Sequence, residues 1–181
     1  MSKASQKLSK EDEMLLKDFS AAVSTKGNLL FYGNSTVITI APLYLFYGIY
    51  QMDVTDSWMV WLAASLVASY LITYAYKNVK HVLKHKIVVK RSEAVTREIN
   101  KRFADDKKMT KKERDERILW KNNEVADYEA TTFSIFWNNV LFLALEIPLS
   151  FFILGSFSPM FNCLFSMIGA AALVALFSTA K

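Results

Sequence analysis

The chain has 181 residues, 52% of them hydrophobic, with a mean hydropathy of +0.17 and a formal net charge of +5. That is enough for one compact unit, and the apolar content is high for a soluble domain of this size. The single cysteine, Cys163, sits in an apolar run, excludes an internal disulfide and reads as a small buried or lipid-facing side chain.

Residues 1–28 form a polar arm with no apolar core of the kind a cleavable signal needs, so the first apolar segment is expected to act as an uncleaved anchor. Within the arm, Ser9-Lys10-Glu11-Asp12 approximates a capping box ahead of Met14, Leu15, Phe19 and Val23, which share about one helical face. A short helix is predicted there, lying either along a membrane surface or on the protein's own cytosolic part.

No Lys or Arg occurs between Gly27 and Tyr76, nor between Asn122 and Ala180. Leu29 to Tyr50 and Ser57 to Tyr76 are predicted spans, and at about 1.5 Å per residue each helix reaches roughly 30 Å, the thickness of the hydrocarbon core. Gln51 to Asp56 is a turn, so residues 29–76 make a transmembrane hairpin. Residues 133–181 make a second, with spans at 133–154 and 160–180 around the Gly155 to Pro159 turn. Strands are a poor alternative, because only helices or closed barrels satisfy their backbone groups in lipid.

Between the two lies a long polar segment, residues 77–132. Val79, Leu83, Val88, Val95, Ile99 and Phe103 give one loose apolar stripe, and no Gly or Pro occurs from Lys77 to Glu146, so the second span is expected to continue as a helix past Tyr76. Ala104 to Met109 reads as a turn. Thr110-Lys111-Lys112-Glu113 is a capping box that starts a second helix, with Ile118, Leu119, Val125 and Tyr128 on its apolar side. The predicted architecture is therefore an all-α membrane protein, four transmembrane helices in two hairpins joined by an antiparallel helical hairpin.

Lys and Arg counts set the orientation. The short turns carry none, the arm carries five Lys, and Lys77 to Glu129 carries 16 basic and 10 acidic residues. Every basic residue falls on one side, which is read as cytosolic, and aromatic residues such as Tyr50, Trp58, Tyr76 and Trp137 lie toward predicted helix ends. Asn34-Ser35-Thr36 fits a glycosylation motif but falls inside the first span near its cytosolic end, and is expected to stay unmodified.

The tip of the middle segment concentrates charge: Lys101, Arg102, Lys107, Lys108, Lys111, Lys112, Arg114 and Arg117, interrupted by Asp105, Asp106, Glu113, Asp115 and Glu116. A solvated surface with i,i+4 pairs, attraction to anionic lipid, and contact with a polyanion such as RNA all fit this composition. A tip some 30–40 Å from the bilayer is several Debye lengths from lipid head groups.

Catalytic signatures are sparse. His81 and His85 are spaced i,i+4, but two ligands do not make a zinc site and no Cys or carboxylate stands beside them. There is no P-loop and no G-x-S-x-G, no cofactor is implied, and no nucleophile–base pair suits a lipid-modifying enzyme. Glu146 is the one charge within a span, with Asn138 and Asn139 two turns before it and Pro148 just after, allowing a kink. Either helix–helix packing through polar groups, or a small carrier or channel using Glu146, would explain it.

Two stretches carry a resemblance. Tyr76 to Lys86 (YKNVKHVLKHK) and Lys112 to Asn139 (KERDERILWKNNEVADYEATTFSIFWNN) resemble the gamma-subunit family of the translocon-associated protein (TRAP) complex, also called the signal sequence receptor complex. The likeness extends to the charged arm, with LKDFS at Leu16 to Ser20, and to the order of the four spans. It implies a non-enzymatic endoplasmic reticulum protein assembled with alpha, beta and delta subunits beside the Sec61 channel. It also implies cytosolic helices that reach the translating ribosome, touching ribosomal RNA and large-subunit proteins, which favours the polyanion reading of the basic tip.

Overall fold

A computed structural model describes residues 25–102 and 111–180. The predicted arm helix, the Ala104 to Met109 turn and the Thr110 cap lie outside the described residues. So do Lys107 and Lys108.

Among the described residues the fold is entirely helical, without strands. Four helices are long and apolar enough to cross a membrane. They are α1 (Thr25–Gly48), α2 (Val54–Arg102), α3 (Lys111–Pro148) and α4 (Pro159–Thr179), with a π-helical turn at Leu149–Ile153 continuing α3.

Each boundary has a local cause. The α1–α2 turn passes through Gln51, whose φ of 50° is left-handed, and Met52 N–H reaches back to Phe46 O at 3.2 Å. Asp53 caps α2: its Oδ1 accepts the Thr55 N–H at 3.0 Å and the Thr55 hydroxyl at 2.9 Å. Those same bonds, backbone first, hold the Asp53 carboxyl below its ordinary value. With no Gly or Pro to stop it, α2 then runs unbroken for 49 residues, about 70 Å. Pro148 has no N–H and crowds the preceding turn, so the α3 ladder loosens into i→i−5 pairing, closed by Leu154 N–H on Leu149 O at 2.8 Å. Gly155 follows because a Cβ there would stand 2.5 Å from Phe151 O. Pro159 at the first position restarts the chain as α4, its φ already helical.

The core lies along α2, which packs against the other three helices. Ala64, Ala68, Ile72 and Ala75 recur every three to four residues on its buried face and meet Met167, Ala170, Ala171 and Val174 of α4. Small side chains let the two backbones approach, which is how helices associate where lipid removes the hydrophobic drive. Phe31, Tyr76 and Phe142 fill one end of this seam, Phe46 and Met52 the other. Large apolar residues such as Val37, Leu66, Phe136 and Leu176 point outward, as a lipid-facing surface requires.

Candidate interaction surface and intramembrane polar site

The two long helices stay paired beyond the apolar windows. The Ser134 hydroxyl donates to Tyr76 O at 2.6 Å, Lys80 and Lys84 reach Asp127 at 3.0 and 3.2 Å, and Asn122 Nδ2 donates to Val88 O at 3.3 Å. Arg91 slants back toward the apolar end of α3, meeting Glu129 at 2.9 Å. At the far end Arg114 directs Nε and Nη2 onto Asn100 Oδ1 at 3.0 and 2.7 Å. Apart from that slanted pair, steps forward on α2 match steps back on α3, so the two helices run antiparallel. Its apolar content is thin: Val88 and Ala126 with Ile87, then Val95 and Ile99.

Asp127 is the electrostatic centre of this pair. Burial alone would raise its carboxyl pKa, but hydrogen bonding and charge from Lys80 and Lys84 more than offset that and hold it below the ordinary value. Lys84 is 8% exposed, so its ammonium depends on this carboxylate for compensation. Lys80 also sits 5.7 Å from the Phe31 ring centroid and Lys77 5.4 Å from that of Tyr32, tying α1 to the base of the pair.

The basic cluster divides into exposed members and one that is committed to a partner. Lys101 is exposed at the end of α2 and Arg117 is exposed on α3. Arg102 closes α2, while Lys111 and Lys112 open α3. Arg114 is different, being half-buried and committed to Asn100, so it clamps the two helices together. Sequence proximity alone gave no sign of this, because the partner lies on the other long helix.

Within the apolar part, hydroxyls make a ladder that the sequence did not single out. The Ser35 Oγ lies 2.7 Å from Ser69 Oγ and 2.8 Å from Thr73 Oγ1, joining α1 to α2. The motif at Asn34 is thus helical, with its serine fully buried and Asn34 Nδ2 bonded to Leu30 O at 3.2 Å. The only advance signal was that Ser35, Ser69 and Thr73 fall on faces that also carry buried apolar residues. A second node uses the loosened turn: Ser150 O accepts from Tyr50 OH at 2.8 Å and from Asn162 Nδ2 at 2.9 Å.

Asn138, Asn139 and Glu146 do not converge. Asn138 Nδ2 turns back onto Ser134 O at 2.7 Å, and Asn139 Oδ1 accepts the Tyr76 hydroxyl. Glu146 is fully buried, and neither carboxyl oxygen has a hydrogen-bond partner among the described residues. A carrier built on these three residues is therefore not favoured. His81 and His85 stack edge to face, 5.3 Å between centroids, and no group of three metal-ligating side chains occurs among the described residues.

Residues 11–180 match the family model of the translocon-associated protein, gamma subunit (TRAP-gamma). The translocon-associated protein subunit gamma of Dictyostelium discoideum is 27% identical over 159 residues, covering 88% of this chain and 90% of the relative. A match across nearly the whole chain means that this protein belongs to the translocon-associated protein gamma-subunit family.

Proposed function

We propose that the protein anchors a translocon-associated complex in the endoplasmic reticulum membrane and docks it on the translating ribosome. In this reading the four apolar helices are two hairpins with both termini in the cytosol. The outer halves of α2 and α3 form a cytosolic hairpin whose basic tip meets ribosomal RNA and large-subunit proteins beside the Sec61 channel. The alpha, beta and delta subunits pack on the lipid-facing surface. The family is one of translocon-associated subunits and not of enzymes, which fits a role in binding and positioning.

The observation that carries the proposal is the length of α2. Its 49 residues exceed a bilayer crossing by about 40 Å. The excess is the part that carries Lys and Arg, while the turns at 49–53 and 154–158 carry neither. A paired, basic rod of this reach, standing where positive loops are retained, suits a ribosome surface better than the bilayer it grows from.

The test is charge reversal. Lys107, Lys108, Lys111 and Lys112 are changed to Glu, leaving Arg114 in place to keep the clamp on Asn100. Co-sedimentation with ribosomes should weaken, and the slope of log affinity against log salt should flatten by about 0.7–0.9 per lost phosphate contact. Unchanged binding at matched salt would remove these residues from the interface.

A further inference from the structure

The first 20 Å or so of the rod above the apolar zone is unevenly charged. On α2, Lys77 to Arg91 holds six Lys or Arg and two His, and no acid occurs between Asp56 and Glu93. The facing stretch of α3, Lys121 to Thr132, adds one Lys and three acids. Each acid is already engaged: Glu124 with Lys121 at 2.8 Å, Asp127 with Lys80 and Lys84, and Glu129 with Arg91. Lys77, Lys86 and Lys90 are left without an ion pair among the described residues. Lys86 and Lys90 are exposed, as are His81 and His85, and Lys77 is half-buried beside Tyr32.

Helix direction separates these charges along the rod. Side chains tilt toward the N-terminus of their own helix. α2 begins at the far end of the apolar bundle, so its lysines lean back toward the apolar zone. α3 begins at the other end of the rod, so its acids lean away from that zone. Arg91 displays the slant. The register set by Ser134 on Tyr76 and Asn122 on Val88 puts Glu129 beside His81, yet Arg91 reaches it at 2.9 Å. The polar layer flanking the hydrocarbon is about 5–7 Å deep. Lys77 rises within it. Lys86 stands about 15 Å beyond Tyr76 with its stem leaning back. Lys90, one turn higher, adds to the potential at that layer across a screening length of about 8 Å.

We propose that this basic collar at the base of the rod binds the head groups of anionic phospholipids, with Lys77, Lys86 and Lys90 as the cations and His81 and His85 as N–H donors. Several Lys and Arg beside a membrane span attract anionic lipid when they act together. The inference goes beyond the proposed function and does not depend on what the tip binds.

The full chain, reconstituted in phosphatidylcholine vesicles with a trace of spin-labelled phosphatidylserine or spin-labelled phosphatidylcholine, reads the contact. The motionally restricted fraction of each label is measured by electron paramagnetic resonance. Phosphatidylserine should associate about fivefold more strongly at low salt, the effect of one cation at the surface. That preference should fall toward unity in about 1 M salt and in the triple variant Lys77→Gln, Lys86→Gln, Lys90→Gln. The pair Lys86→Gln, Lys90→Gln leaves Lys77 on Tyr32 and should lose part of the preference with the fold intact, and Arg at the same three positions should retain it. Lys101→Gln with Lys112→Gln, near the tip, should keep it in full. Equal association of the two labels with the native chain would overturn the proposal, as would a preference that survives the triple variant or is lost only in the tip variant. No ribosome is present, so the outcome leaves docking at the tip untouched.

Discussion

The apolar bundle and the rod that grows from it are built from the same two helices, yet different forces hold them. In the bundle, α2 meets α4 through alanines, and meets α1 through a serine–threonine ladder. In the rod the buried apolar set shrinks to a few residues, and Lys84 with Asp127, Asn122 with the Val88 carbonyl and Arg114 with Asn100 set the register. Lipid cannot reward apolar contact, so the bundle depends on close shape. Water would reward it, but the rod has little to bury and aligns by charge. One part should therefore be sensitive to volume and indifferent to salt, and the other the reverse.

The largest effect tests volume. Ala171→Leu adds three carbons at a fully buried position facing α2 and should destabilise the bundle by about 3 kcal/mol, read by reversible unfolding in mixed micelles. Ala63→Leu, on the exposed side of the same crossing region, should cost nothing measurable. Equal effects at the two positions would mean that α2 and α4 do not approach closely.

Charge comes next. Asp127→Ala leaves Lys80 and Lys84 facing each other with Lys84 almost buried, a loss of about 2 kcal/mol once the half-exposed carboxylate is discounted for screening. Amide exchange should accelerate along residues 84–100 and leave 60–75 unchanged. The pH dependence follows the same carboxyl. Its folded pKa is depressed, so its contribution is complete above the ordinary value of 3.8 and is lost as pH falls below it toward the folded value. Exchange in the rod should thus rise on acidification below that point and flatten in Asp127→Ala.

Glu146 belongs to the bundle by depth but looks like a residue of the rod. It is fully buried without a hydrogen-bond partner among the described residues, so ionisation there would be costly and a sister subunit could not reach it without prising helices apart. Glu146→Met keeps the volume and removes the polar atoms. Stability should stay level or rise by about 1 kcal/mol. A loss of 2 kcal/mol or more would reveal a partner that the bundle hides.

The same contrast explains what could be read in advance. Runs without Lys or Arg announced four apolar helices, because a single Lys or Arg at mid-bilayer is expensive. The continuity of α2 followed from the absence of Gly and Pro after Lys77. Pro148 signalled a disturbance in α3, but not that it would take the form of a π turn whose carbonyl at Ser150 collects Tyr50 and Asn162. The partners of that carbonyl lie in the α1–α2 turn and on α4, 100 and 12 residues away. The ion pairs of the rod were hidden for the same reason. Lys80 and Asp127 are 47 residues apart, and only the register of the two long helices sets which acid meets which base. Arg114 was grouped with the tip because neighbours in sequence share a composition, whereas its role depends on Asn100 of α2. The helices are local and were legible; the pairings are not.

The smallest effect separates hydroxyl bonding from mere small size in the bundle. Ser69 reaches Ser35 at 2.7 Å and lies 3.4 Å from Thr36. Ser69→Ala keeps the close approach and removes only the hydroxyl. Interhelical hydrogen bonds in bilayers average about 0.6 kcal/mol, and Ser35 keeps Thr73 as a partner at 2.8 Å, so the loss should be about half a kcal/mol. Ser69→Val instead adds bulk and should cost severalfold more by the same unfolding measurement. If Ala and Val cost the same, the ladder works through its bonds and the α1–α2 seam is held differently from the alanine seam between α2 and α4. If Ala is free and Val is not, both seams obey one rule, closeness of backbone, and the hydroxyls serve only to keep small side chains satisfied.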